Sequence, residues 1–141
     1  MEPPSTEGQI PENPAISAEL ARLGDEFLAR ILAIELDRRP DNLEALSERA
    51  HALTRLGRTA EGLELDRALA RACPDDAVVR YNLACSLALL GRLKPALSSL
   101  ELAVELGFDD AGHLESDEDL QSLRGERRFC ELVAQLRSTQ P

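Results

Sequence analysis

Two histidines, three cysteines, one tyrosine and no glycine-rich phosphate loop leave this chain little raw material for a nucleophile, a general base or a metal cluster. The cysteines, Cys73, Cys85 and Cys130, are odd in number and form no C-x-x-C pair. Each lies within or at the end of a stretch that reads as helical, which argues against a disulfide framework and fits a reducing compartment. No run of about 18 uncharged apolar residues occurs, and the first residues, MEPPSTEGQIPENP, offer neither a basic region nor an apolar one. The expectation is a soluble, cytoplasmic protein with no membrane partner. Positive charge is scarce too: 16 Lys and Arg face 26 Asp and Glu, for a net charge of -10. That balance argues against a nucleic-acid partner and favours one with basic character. Lys94 is the only lysine, a bias read as the codon usage of a GC-rich genome.

What remains is helical. With 43% hydrophobic residues in 141, the chain can build one domain with a real core but not two comfortable ones. Residues 1–14 hold four of the eight prolines and few apolar side chains, and are expected to be a disordered tail. The domain is expected over 15–138. In its first segment, 15–39, Ile16, Leu20, Leu23, Phe27, Ile31 and Ile34 recur at steps of three and four, predicting one amphipathic helix, or two broken near Gly24, ended by Pro40.

From Pro40 onward the chain repeats itself. Leu56-Gly57-Arg58 returns as Leu90-Gly91-Arg92, and the glycine thereby moves from position 57 to position 91, a step of 34. Pro40-Asp41-Asn42, Pro74-Asp75-Asp76 and Phe108-Asp109-Asp110 follow one another at the same step. Ala50 matches Ala84, Leu53 matches Leu87, and Leu63 matches Leu97. Apolar residues keep a helical spacing on both sides of each glycine: Leu46, Ala50, Leu53 and Leu56 before Gly57, then Leu63, Ala68, Leu69 and Ala72 after it. Each unit therefore reads as helix, tight turn, helix. Gly57 and Gly91 supply the left-handed residue at which a helix commonly ends. Pro95 falls in the first turn of the next helix, where no N–H partner is lost. The Asp after each Pro is the expected cap or dipole partner of the following unit.

A helical hairpin repeating at that step, with small residues in mid-helix and Pro near the unit's end, resembles the tetratricopeptide repeat. The resemblance covers two full repeats, 41–74 and 75–108. In the second, Leu83-Ala84, Leu87, Ala96, Leu100 and Ala103 occupy the family's motif positions. It implies an all-α solenoid of antiparallel helix pairs, a right-handed superhelix with capping helices at both ends. The segment 109–138 is the C-terminal cap: Ser116 reads as an N-cap with Asp119 three residues on, Gly125 as a stop, and Phe129, Leu132, Val133 and Leu136 as the apolar stripe of a last helix. It resembles the closing segment after the final repeat of many bacterial tetratricopeptide proteins, and residues 15–38 are expected to cap the other end. The first repeat departs furthest from the pattern. Gly62 replaces the usual Ala, at about 1 kcal/mol in a helix interior, and Asp66 fills an aromatic slot. Arg80 fills another such slot in the next repeat. Two readings stay open: an Asp66–Arg80 ion pair across the interface, or a helix rotation that exposes both.

The resemblance places Ser47, His51, Thr54 and Arg55 of the first repeat and Tyr81, Asn82, Cys85 and Leu89 of the second along a concave groove. Of the family's five-residue clamp for a peptide carboxylate only Asn82 matches, since the other slots carry Ser47, His51, Gly112 and Ser116. The implied ligand is a protein or peptide of basic or mixed apolar character, bound without catalysis and without a cofactor. His51 and Cys85 are the one pair with catalytic potential, but equivalent places on stacked helices are expected about 10 Å apart. His113 has no second histidine at metal-ligand spacing, and the acidic run from Glu115 to Asp119 lacks the glycine and terminal glutamate of a calcium loop. Competing readings are a dedicated chaperone or accessory subunit, an enzyme, and a self-assembling homodimer.

Overall fold

A computed structural model describes residues 11–140; the first ten positions of the expected tail lie outside the described residues. Among the described residues the chain is all-helical, with seven α-helices and one 3₁₀ helix. They are α1 (Pro14–Arg38), α2 (Leu43–Arg55), α3 (Thr59–Ala72), α4 (Ala77–Leu89), α5 (Leu93–Glu105), α6 (Ala111–Ser116), the 3₁₀ helix (Glu118–Leu123) and α7 (Arg127–Thr139). Each helix from α1 to α5 packs on the next in chain order, the 3₁₀ helix lies against α4, and α7 packs on α5 and α6.

The helix starts follow from short polar side chains that accept the first free N–H groups. Asn13 Oδ1 accepts from Ala15 N at 3.0 Å, with Pro14 in the first turn, so α1 begins one residue before the expected boundary. Asn42, Asp76 and Asp110, which succeed one another at the step of the repeat, open α2, α4 and α6 by accepting from Ala45 N, from Val78 N and Val79 N, and from His113 N. The cap is thus the second residue after each proline position and not Asp41 or Asp75. Likewise Asp117, not Ser116, caps the 3₁₀ helix, by accepting from Asp119 N at 3.0 Å. Ser116 is the last residue of α6 and its hydroxyl donates to the His113 carbonyl.

The turns confirm the role read for glycine. Gly57 and Gly91 stand at φ 75° and 71°, and the next N–H, of Arg58 or Arg92, returns to the carbonyl of Leu53 or Leu87 at 2.8 and 2.9 Å. Gly107, at φ 114°, ends α5 with the same bond from Phe108 N to the Ala103 carbonyl. Pro95 lies in the first turn of α5, as expected.

The core is lopsided. Leu63, Leu87, Leu97, Leu100, Leu114, Leu120, Leu123 and Phe129 belong to one large cluster spanning α3 to α7, whereas α1 and α2 meet over Ala29, Ala52 and Leu53 with Leu28, Leu56 and Leu65 at the margin. Of the two readings of the first segment the single helix holds, since Gly24 does not break α1, but the stripe Ile16, Leu20, Leu23, Phe27, Ile31 and Ile34 does not face the domain: these residues are 46% to 68% exposed. The contact with α2 runs along the opposite side, through Ala29 and the half-buried Leu28, anchored by Arg55 on Asp25 at 2.7 Å and by Arg49 on the Ala29 carbonyl.

The Asp66–Arg80 pair does not form, and Asp66 is not turned to solvent either. It is 4% exposed and its carboxylate accepts from the Ser86 hydroxyl of α4 at 2.5 Å. Arg80 reaches instead to the Ala70 and Pro74 carbonyls, where a cation complements the C-terminal end of α3. Gly62 sits at a close crossing, since a Cβ there would lie 3.0 Å from Thr54 Oγ1 and 3.1 Å from the Ala50 carbonyl.

Candidate functional site

α2 and α4 each pack on α3, and the chain after α5 folds back so that the 3₁₀ helix lies on α4 and His113 of α6 reaches Tyr81. Between them is an open cavity of about 250 Å³. Of the expected groove residues, His51, Thr54, Arg55, Tyr81, Asn82 and Cys85 line it. Ser47 does not, and Leu89, 43% exposed, borders a neighbouring hollow with Glu118 and Asp119. Five further residues, Asp66, Ser86, His113, Asp117 and Asp119, line the cavity without having been among the expected groove residues.

Asp117 organises this cavity. Its Oδ2 accepts from the Tyr81 hydroxyl at 2.5 Å, lies 3.8 Å from the Cys85 sulfur and 3.6 Å from His113 Nε2, while Oδ1 accepts from Asp119 N. Phe108 stacks on Tyr81 with ring centroids 4.5 Å apart and planes 13° from parallel, and His113 closes the aromatic group at 5.5 Å from Tyr81. The single tyrosine of the chain is therefore held on both its ring and its hydroxyl.

The titratable groups fall into two kinds. Burial pushes the Tyr81 hydroxyl and the Cys85 thiol up, and the Asp117 carboxylate beside them adds to both shifts. The Cys85 thiol is thus held protonated, the reverse of an activated nucleophile. Its polar contact is Asp117, with no hydrogen bond to His51 among the described residues, so the geometry assembles no Cys-His dyad. Burial also raises Asp66, against the opposing pull of the Ser86 hydroxyl and His51. Asp119 is raised by burial and by its neighbour Asp117. The one guanidinium lining the cavity, that of Arg55, is neutralised by Asp25. The opening therefore presents carboxylates with no free arginine among them.

Cys85, Asp117 and Asp119 bring possible ligand atoms within 4.8 Å of one another. Both Asp117 oxygens also accept hydrogen bonds, Oδ2 from the Tyr81 hydroxyl and Oδ1 from Asp119 N. All three cysteines are free, with Cys85 buried and Cys130 exposed. Among the described residues no helix is long and apolar enough to cross a membrane.

No protein-family model matches the chain. It is similar to a curated chloroplastic protein of Arabidopsis thaliana, at 28% identity over 137 residues, an alignment that takes in 91% of this chain and 40% of that protein. The chain thus spans well under half the length of this relative.

Proposed function

We propose that this chain is a tetratricopeptide-like helical repeat domain that binds a protein or peptide, without catalysis, through the cavity between α2, α4 and the returning α6–3₁₀ segment. The observation that carries the reading is the acidic cavity with an aromatic wall: Asp117 and Asp119 at the opening, Tyr81 and His113 beside them with Phe108 stacked on Tyr81, and the lining arginine neutralised from outside. Such a wall takes the stem and cationic head of a lysine or arginine side chain, the stem on the rings and the charge toward the carboxylates. The repeat assignment is supported by the caps Asn42, Asp76 and Asp110 and by the left-handed Gly57 and Gly91, all in one common register. A protonated, buried Cys85 and a hydrogen-bonded Tyr81 support a binding role over a catalytic one. The Arabidopsis relative is a chloroplast protein.

The test is a titration with two fluorescent amphipathic peptides of equal length and apolar content, one carrying Arg and Lys, the other Glu. Binding of the basic peptide alone, lost in the Asn82→Arg/Asp119→Lys variant, is the expected result. Equal binding of both peptides, or binding that survives the substitutions, contradicts the groove reading.

A further inference from the structure

We propose that the exposed face of α1 is a homodimer interface, in which the α1 helices of two copies of this chain pack antiparallel about a two-fold axis at the level of residue 25.

The helix is longer than the body it rests on. Its 25 residues span about 37 Å against about 20 Å for α2, and every residue from 14 to 24 is exposed, so the first half of α1 projects past the domain. An isolated helical end of this length is marginal in water without an apolar partner. Along its outer side run Ile16, Leu20, Leu23, Phe27, Ile31 and Ile34, 46% to 68% exposed. Together they form a stripe on the order of 600 Å², at the upper end for a monomer and close to the roughly 800 Å² each partner contributes to a stable complex. Residues 1–10 contain only Met1 and Ile10 as large apolar side chains, too few to cover six.

The pattern of the stripe selects a second copy as its occupant. Its spacing is nearly palindromic about residue 25. In an antiparallel pair Ile16 meets Ile34 of the other copy, Leu20 meets Ile31, and Leu23 meets Phe27, and each contact occurs twice, as a two-fold interface requires. The free end of one α1 then lies on the half of the other that α2 supports. The flanking charges agree. Glu19 and Arg30 are separated by about three helical turns, so they stand on one side of the stripe. Same-side residues at mirrored positions meet in an antiparallel pair, which sets Glu19 of each copy against Arg30 of the other. Arg30 has no ion-pair partner within the chain among the described residues, whereas Arg22 is bonded to both Glu19 and Glu26.

Sedimentation equilibrium on the full chain decides the matter. The expected result is a dimer with a Kd on the order of 1 µM or tighter. Leu23→Glu/Phe27→Glu should raise that Kd at least about thirty-fold while the cooperative unfolding of α2 to α7 is retained, because both side chains are outside the core. Arg30→Glu alone should weaken the dimer, and adding Glu19→Arg should restore it. A monomer of 15.4 kDa at about 100 µM, or a dimer indifferent to Leu23→Glu/Phe27→Glu, overturns the proposal. Failure of Glu19→Arg to rescue Arg30→Glu overturns the antiparallel register.

Discussion

At the residue scale the first repeat carries compensated exceptions. Asp66 stands where the second repeat has Leu100, and it is tolerated because Ser86 donates to it across the α3–α4 contact. Its carboxyl is raised by burial. An acid raised in the folded state stabilises the fold while protonated, and that contribution is lost as the pH climbs through the folded value. Asp66→Asn is therefore predicted to unfold at higher denaturant than wild type at neutral pH, with the advantage shrinking toward about pH 4. Gly62 is a second exception. Substitution to Ala normally gains about 1 kcal/mol in a helix interior, but the Cβ would press on Thr54 and the Ala50 carbonyl. The second repeat has Ala96 and Ala88 at the positions of Gly62 and Thr54. Gly62→Ala should thus show no gain in chemical denaturation, and Gly62→Ala/Thr54→Ala should recover about 1 kcal/mol over the single variant. A sequence exposes the unusual residue but not its partner: Asp66 was visible as a misfit, while Ser86, on the following helix, carried no signal of its own.

At the element scale the helices and their ends were legible wherever a backbone demand has one residue that meets it. Left-handed turns at Gly57 and Gly91 are of that kind. Caps are less specific, because Asp41 and Asn42, or Asp75 and Asp76, are equally good acceptors, and only the local φ and ψ decide between neighbours. Periodicity found the apolar stripe of α1 but says nothing of which side meets α2; the small Ala29 allows the closer approach and wins that contact. The segment after α5, read as a terminal cap, buries Leu120 and Leu123 fully against the large core. Leu123→Ala is expected to cost about 2–5 kcal/mol in denaturant unfolding. The same segment delivers His113, Asp117 and Asp119 to the cavity. That delivery depends on a chain reversal, which the acidic run itself does not signal.

At the scale of the whole molecule the asymmetry of the core has consequences for dynamics and binding. The large cluster joins α3 through α7, while α1 and α2 share few buried side chains. In the Leu23→Glu/Phe27→Glu variant, which removes the dimer contact, amide hydrogen exchange should therefore be fastest in α1, above all over 14–24, and slowest in α4 and α5. The cavity sits where the two regions meet, with α2 from the thin side and α4 and Asp117 from the thick one. Its rigid wall is consequently Tyr81, backed by Phe108, with His113, and its adjustable wall is His51 and Thr54. The most direct test of the binding role is an NMR titration of the labelled chain with the basic amphipathic peptide, following every backbone amide. The account predicts saturable shifts at His51, Asn82, Cys85, His113, Asp117 and Asp119. Shifts confined to other surfaces, or none at saturating peptide, would contradict it.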